Sequence, residues 1–249
     1  MKLYLARHAE SLANVEHVIA SEIPGPALSE LGRQQAESLA DRLENADIAA
    51  IYHSRMLRTQ QTAAPLAERL GLDMLELSGL HEVQLGDLAG RSDTEAYELL
   101  DKLAEEWNID EQLDIARPGG ETGADVVRRM TGHFDEIRSR HAGRDAAVLA
   151  VAHGLCLRTS AQRWADGVSL EFAFRNLLPN ASIIEVDAPD EPGTRPVIRD
   201  WAGYRVVGIF VGLLIAGGAP AATRRCAHAA RSVPCAPSSL HRWRAAPGA

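Results

Sequence analysis

Several features that would restrict the class of this protein are scarce or missing. Only three of its 249 residues are cysteine, too few for a disulfide framework, so a reducing cytoplasmic compartment is expected. The apolar start of the chain is broken by Arg7, so no secretory signal peptide is predicted. The 26 basic residues are outnumbered by 34 acidic ones. The resulting net charge of −8 argues against a nucleic-acid partner, because phosphate polymers favour clustered lysine and arginine.

Aspartate, glutamate and lysine are missing altogether from residues 206–249. The five basic residues of this segment are all arginine, so residues 1–205 carry 21 basic and 34 acidic side chains. After Ala216 the segment has too few large apolar residues to build a core. The sequence therefore predicts a folded domain over 1–205 and a poorly ordered tail, rich in Ala, Gly, Pro and Arg, over 206–249.

An uncharged apolar run covers residues 206–222 of this tail. Its 17 residues lie at the short limit for a membrane-spanning helix, which needs roughly 20, and four glycines and a proline interrupt it. We therefore predict an apolar extension that does not enter a membrane. A C-terminal anchor with cytoplasmic arginines, or an out-of-frame extension, is the alternative.

Within residues 1–205, short apolar runs alternate with segments of helical periodicity. The apolar runs predict strands at 3–6, 48–52, 72–77, 146–152, 182–186 and 196–199, the last two at the edges of a sheet. The periodic segments predict helices at 29–43, 56–70, 92–107, 122–141 and 154–165, with Ser29 and Thr122 as caps and Gly71 as a stop. This alternation predicts an α/β fold, a three-layer α/β/α sandwich with a mostly parallel central sheet.

Polar or ionisable side chains follow the ends of four predicted strands. His8 follows the first strand, and His153 follows the most apolar one. Ser54 and Arg58 follow the second strand, and Glu82 follows the third. Because ligands bind beyond the carboxyl ends of the strands in an open parallel sheet, we expect these groups to share one crevice.

Two histidines, two arginines and one glutamate define the chemistry of that crevice. Arginine forks bind tetrahedral oxyanions through charge-assisted hydrogen bonds, a neutral histidine can be a nucleophile, and a glutamate can act as a general acid. No Cys or carboxylate cluster has the spacing of a zinc or magnesium site, so no metal and no other cofactor is predicted. The set fits phosphoryl transfer through a phosphohistidine.

The same residues lie in motifs that resemble those of the histidine phosphatase superfamily, in its phosphoglycerate mutase-like branch. The matching stretches are, in order, LARHAES at 5–11, LSELG at 28–32, SRMLRTQQTA at 54–63, LHE at 80–82, AHG at 152–154 and, more weakly, NAS at 180–182. The resemblance spans roughly residues 1–200 and does not reach the tail. It implies the histidine phosphatase fold and a metal-independent phosphomonoester hydrolase that acts on a small phosphorylated metabolite.

The resemblance also implies a role for each candidate site residue. His8 would be the nucleophile that becomes phosphohistidine. Arg7, Arg58 and His153 would bind the transferring phosphoryl group. Glu82 would protonate the leaving oxygen and then help to activate water.

Some alternatives stay open at this point. Asn14 either adds a hydrogen bond to phosphate or is a loop-turn residue. A mutase of the same fold would return the phosphoryl group to its substrate, and a non-catalytic module would only bind a phosphorylated ligand. The sequences of residues 15–20 and 80–87 resemble the phosphatase side of the family, and His8 and Glu82 argue against a non-catalytic module. The expected partner is a small phosphorylated substrate, with no nucleic acid and no membrane; a homodimer is left open.

Overall fold

A computed structural model describes residues 1–191 and 193–206 of the chain. The strands are β1 (Lys2–Arg7), β2 (Ile48–His53), β3 (Met74–Glu76), β4 (Ala147–Ala152), β5 (Ile183–Asp187), β6 (Val197–Trp201) and β7 (Tyr204–Arg205). The helices are α1 (Leu12–Val15), α2 (Glu30–Leu43), α3 (Leu57–Leu70), α4 (Thr94–Asn108), α5 (Gly123–Arg140), α6 (Gly154–Trp164) and α7 (Leu170–Arg175). Apart from Val206, the predicted tail and its apolar run lie outside the described residues.

The described residues form one sheet of seven strands in the order β3-β2-β4-β1-β5-β6-β7. Strands β3, β2, β4 and β1 pair in parallel, and β5, β6 and β7 are added to β1 in antiparallel pairs. The predicted α/β sandwich with parallel core strands is thereby confirmed.

The prediction that the last two strands form sheet edges is wrong. β5 pairs with both β1 and β6, and β6 pairs with both β5 and β7. Buried and half-buried residues alternate along β5, a pattern that one covered face produces whether or not a strand has two neighbours. The edge strands of the described sheet are β3 and β7.

Helices cover both faces of the parallel half of the sheet. All six residues of β4 are buried, as expected of a strand between two helical layers. Leu149 and Val151 pack into a cluster with apolar residues of α2 and α3. Val148 and Ala150 pack on the opposite face into the larger cluster, with residues of α4, α5 and α6. This alternation produces the three layers.

Two helices begin at the carboxyl edge of the sheet, shortly after the strands that precede them. α6 begins immediately after β4, with His153 as its N-cap residue, and α3 begins four residues after β2, which puts Arg58 in its first turn. The predicted caps are confirmed at Ser29 and Thr122, whose side chains accept backbone N–H groups, and Gly71 ends α3 with a φ of +63°. Within the described part of the chain, no helix is both long enough and apolar enough to cross a membrane.

Candidate active site

His8 lies directly after β1 and is only 4% exposed. Its Nδ1 is 2.7 Å from the carbonyl oxygen of Ala9, which assigns the proton to Nδ1 and leaves a lone pair on Nε2. Burial, followed by the charges of Arg58 and Arg7, lowers the pKa of His8 well below its usual value near 6.5. His8 is therefore a neutral imidazole at physiological pH, the form that can act as a nucleophile.

Distant polar side chains hold the loop that carries His8. The hydroxyl of Thr62 accepts the N–H of Ala9 at 2.9 Å and donates to the carbonyl of Arg58 at 2.6 Å. Asn180 donates from Nδ2 to the carbonyl of His8 at 3.1 Å. These contacts hold the peptide between His8 and Ala9 at both its N–H and its carbonyl group, and this restricts where the His8 ring can lie.

His153 lies beside His8, with ring centroids 5.1 Å apart. It is fully buried, and its Nδ1 accepts the Nε–H of Arg58 at 3.2 Å. Its Nε2 then carries the proton and donates to the hydroxyl of Ser54 at 2.8 Å. Burial, with the neighbouring Arg58 and His8, lowers the pKa of His153 well below its usual value. Both histidines are thus neutral.

Arg7 and Arg58 supply the positive charge. Each makes one contact to a backbone carbonyl, from Nη1 of Arg7 to Leu178 at 2.6 Å and from Nη2 of Arg58 to Ala20 at 3.0 Å. Within the described residues, the buried Nε of Arg7 and the buried Nη1 of Arg58 have no hydrogen-bond partner. Burial lowers the pKa of Arg7, and that of Arg58 to about 10, so both stay charged at neutral pH.

Buried cationic donors without partners are costly, and an oxyanion would satisfy them. Two glycines keep the space beside them open. A Cβ at Gly25, whose φ is +69°, would lie 2.9 Å from Nη1 of Arg58. A Cβ at Gly154 would lie 3.2 Å from Nε of Arg7. Larger residues at either position would crowd the unpaired donors.

The Glu82 carboxylate lies at the N-terminus of α6. It accepts the N–H groups of Leu155 at 3.1 Å and Cys156 at 2.9 Å, in addition to that of Val83 at 2.9 Å. A helix N-terminus favours negative charge because its first N–H groups are unpaired and its dipole is positive there. Glu82 and His153 are therefore held by the same helix end, although 71 positions separate them in the sequence.

Asn14 is tied into the loop after His8. Its Oδ1 accepts the N–H of Ser11 at 3.0 Å and the Nδ2–H of Asn180 at 3.3 Å, and it completes a capping box with Ser11. Through Oδ1, Asn14 thus acts as a loop-turn residue, one of the two alternatives left open by the sequence. A hydrogen bond to phosphate would have to come from its Nδ2.

One cysteine, Cys156, lies near the site, but its thiol is suited neither to nucleophilic attack nor to binding a metal. Cys156 is fully buried, and burial raises the pKa of its thiol well above the usual value. A buried, protonated thiol is neither a good nucleophile nor a metal ligand. Among residues 1–191 and 193–206, moreover, no three His, Cys, Asp or Glu side chains are grouped as metal ligands would be.

Sequence reasoning missed the polar residues that support the site. Thr62 lies inside the 54–63 motif, but nothing in the sequence shows that it reaches Ala9. Glu121 follows a Pro-Gly-Gly loop just before α5, and Arg129 lies inside α5; at such positions charged residues usually face solvent. They instead contact the Glu82 segment, and only tertiary structure reveals this.

The family model of the histidine phosphatase superfamily, branch 1, matches residues 3–200. The chain belongs to this superfamily, and with phosphatases among its relatives it is an enzyme of the phosphatase type. The resemblance stated from the motifs is thereby confirmed.

Two curated relatives cover most of the described domain. Phosphoserine phosphatase 1 of Hydrogenobacter thermophilus is 32% identical over 158 residues, which is 64% of this chain and 73% of the relative. A probable phosphoglycerate mutase of Yersinia pestis is 31% identical over 195 residues, 77% of this chain and 87% of the relative.

Solved structures agree with the fold. A mycobacterial glucosyl-3-phosphoglycerate phosphatase, solved with VO3, aligns with a TM-score of 0.70 and 26% identity over 82% of this chain and 99% of its own. Bacillus stearothermophilus YhfR aligns with a TM-score of 0.66 and 30% identity over 79% of this chain and 94% of its own.

Proposed function

We propose that this enzyme is a metal-independent phosphomonoester hydrolase that acts on a small phosphorylated metabolite through a phosphohistidine at His8. One observation carries the proposal. Two buried guanidinium N–H groups, on Arg7 and Arg58, lack partners in the described structure, and both side chains influence the neutral ring of His8 electrostatically. A phosphoryl group placed there would satisfy the donors and face the nucleophile.

The chemistry follows from this arrangement. Nε2 of His8 attacks phosphorus, the ester P–O bond breaks, and a proton from Glu82 goes to the leaving oxygen. Arg7 and Arg58 stabilise the charge on the equatorial phosphoryl oxygens. Water then attacks the phosphohistidine and gives a proton back to Glu82 as the P–N bond breaks. Inorganic phosphate leaves and neutral His8 is restored.

The relatives support the kind of substrate. Those named phosphoserine phosphatase and glucosyl-3-phosphoglycerate phosphatase carry phosphorylated metabolites in their names. The second was solved with VO3, an oxyanion like the one we place at Arg7 and Arg58.

A mutase is the second candidate, because a probable phosphoglycerate mutase is 31% identical to this chain with 87% of its own length covered. The two candidates differ in where the phosphoryl group goes. Incubation with 2- or 3-phosphoglycerate yields free phosphate if water accepts the group from His8. It yields the other isomer if the substrate takes the group back.

The decisive variant is His8→Ala. Wild-type enzyme mixed with a radiolabelled phosphomonoester and quenched in alkali should retain label that is released by acid, and His8→Ala should retain none and lose turnover. His17→Asn, which removes an exposed histidine from the neighbouring loop, is the matched control. All assays contain EDTA. Steady-state activity in His8→Ala would overturn the proposal.

A further inference from the structure

The backbone segment that carries Glu82 is held by side chains that are not among the proposed reacting groups. Glu82 follows a short 3₁₀ turn, Ser78–Leu80, and lies in irregular backbone between that turn and the next. Irregular backbone does not hold a side chain in place through its own ladder of hydrogen bonds. The α6 N–H groups bind the carboxylate itself, but the backbone on either side of Glu82 depends for its position on contacts with other parts of the fold.

Arg129, on α5, binds the backbone before Glu82. Its Nη1 donates to the carbonyl of Gly79 at 2.6 Å and to that of His81 at 2.8 Å. Its Nε and Nη2 donate to the two carboxylate oxygens of Glu121 at 2.8 and 2.9 Å. One planar guanidinium thus joins a helix, a loop and two carbonyls, a geometry that a lysine ammonium does not reproduce.

Glu121 binds the backbone after Glu82. While one of its oxygens stays with Nε of Arg129, the other accepts the N–H of Gln84 at 2.8 Å. Hydrogen bonds from Arg129 lower the pKa of Glu121 although burial opposes them, so it remains an anion at neutral pH. The Arg129–Glu121 pair therefore spans Glu82, with contacts one and three residues before it and two residues after it.

The pair is poorly exposed, with side-chain exposures of 15% and 19%. Burying two charges costs desolvation energy, and an apolar pair of the same volume often gives equal or greater stability. Stability alone therefore gives no reason for placing an ion pair here. Holding the backbone around Glu82 in position is a role that explains why an ion pair lies here.

We infer that Arg129 and Glu121 are positioning residues that hold the Glu82 carboxylate in register with the leaving oxygen. The inference rests on the proposed role of Glu82 as general acid. It predicts that loss of the pair impairs proton donation and leaves phosphoryl binding at Arg7 and Arg58 intact.

The test compares two phosphate esters that differ in their need for an acid. Phenyl phosphate has a basic leaving group that must be protonated, and 2,4-dinitrophenyl phosphate has one that leaves as the anion. The comparison uses kcat/KM, which reports transfer of the phosphoryl group to His8 and not the later hydrolysis of the phosphohistidine. Arg129→Lys should lower kcat/KM for phenyl phosphate by about tenfold or more and for the dinitrophenyl ester by less than about threefold, since general acid help is worth roughly 10²–10⁴-fold. Inhibition by inorganic phosphate should be unchanged.

Arg128→Lys is the matched control, because Arg128 is the adjacent arginine on α5 and its side chain is 75% exposed in a pair with Asp125. Its rates on both esters should equal those of the wild type. Should Arg129→Lys fail to fold, Glu121→Gln decides the question, since it leaves the Arg129 contacts to Gly79 and His81 possible and removes one carboxylate oxygen. The same loss confined to phenyl phosphate is expected.

Equal losses on the two esters, or no loss on either, would overturn the positioning role. Glu82→Gln, measured alongside, separates this failure from failure of the proposed function. A Glu82→Gln loss confined to phenyl phosphate, with equal losses in Arg129→Lys, overturns only the positioning role. Equal losses in Glu82→Gln overturn the acid role of Glu82 and the positioning role together.

Discussion

Arg58 donates its Nε–H to Nδ1 of His153 over 3.2 Å, while Nη1 of the same guanidinium has no partner within the described residues. The Arg58 guanidinium therefore has two separate roles. It fixes His153 in the tautomer that donates to Ser54, and it offers a second donor to an oxyanion. A single ammonium group cannot reach both positions with the same geometry.

Arg58→Lys is accordingly expected to weaken phosphoryl recognition. The loss of one charged hydrogen bond costs about 1.5–3 kcal/mol, so kcat/KM should fall by roughly 10- to 200-fold and vanadate inhibition should weaken with it. The control is Arg55→Lys, an exposed arginine three residues earlier that lies 3.9 Å from Glu76. Unchanged vanadate inhibition in Arg58→Lys would contradict a direct contact with the anion.

The two buried neutral histidines make folding stability depend on pH. The pKa values of His8 and His153 are lowered in the folded state, so below the ordinary value near 6.5 the unfolded chain binds protons that the folded chain does not. The free energy of unfolding should therefore fall as pH drops below about 6.5, by up to roughly 1.4 kcal/mol per pH unit for each histidine.

Urea unfolding at pH 7.5 and 5.5 measures this effect. His8→Gln removes one of the two groups, so its loss of stability over this interval should be smaller than that of the wild type by about 1.4 kcal/mol. His17→Asn removes an exposed histidine instead and serves as the control. If the wild type and His8→Gln lose equal stability, His8 is not held neutral by burial.

Glu82→Gln should lower turnover far more than it lowers binding of a phosphate analogue. The amide cannot supply a proton, so kcat on a poor leaving group should fall by about 10²–10⁴-fold while vanadate inhibition changes little. The amide NH₂ would also face a backbone N–H now bound by a carboxylate oxygen, at either Leu155 or Cys156. Stability should therefore drop by about 1–3 kcal/mol. Parallel losses of vanadate binding and rate would make Glu82 a binding residue.

A chain that ends at Val206 should keep its fold and activity. Val206 donates to the carbonyl of Arg199 at 2.9 Å and packs against the larger core cluster, so this end point retains every described strand. Its melting temperature should lie within about 5 °C of that of the full chain. A drop well beyond this would show that residues after 206 stabilise the domain.

A chain that ends at Ala202 is the matched comparison. It lacks β7 and the edge-to-face contact between Phe172 and Tyr204, whose ring centroids are 5.8 Å apart. Its melting temperature should fall below that of the chain ending at Val206. The predicted boundary at 205 stays a prediction until these melts are measured.

Much of the fold follows from local signals in the sequence. β4 is recognisable because a strand buried on both faces is apolar throughout, and α2 and α5 are recognisable because Ser29 and Thr122 cap periodic helices. The short elements α1, α7 and β7 went unpredicted, since four, six and two residues are too few to show a period. The order of the strands in the sheet could not be predicted either, because the pairing of β5 with β1 joins segments about 180 residues apart.

The sequence by itself determined which candidate catalytic groups the protein carries and that they follow strand ends. His8, Arg58, Glu82 and His153 could be selected because parallel strands deliver their carboxyl ends to one edge. Only the tertiary structure decided the state of these groups. Burial beside two guanidinium groups makes His8 neutral, and the α6 N-terminus holds Glu82. The contacts of Arg129 and Glu121 with the Glu82 segment form only when α5 packs beside that segment. These hydrogen bonds join residues 37 to 50 positions apart, so no local sequence pattern predicts them.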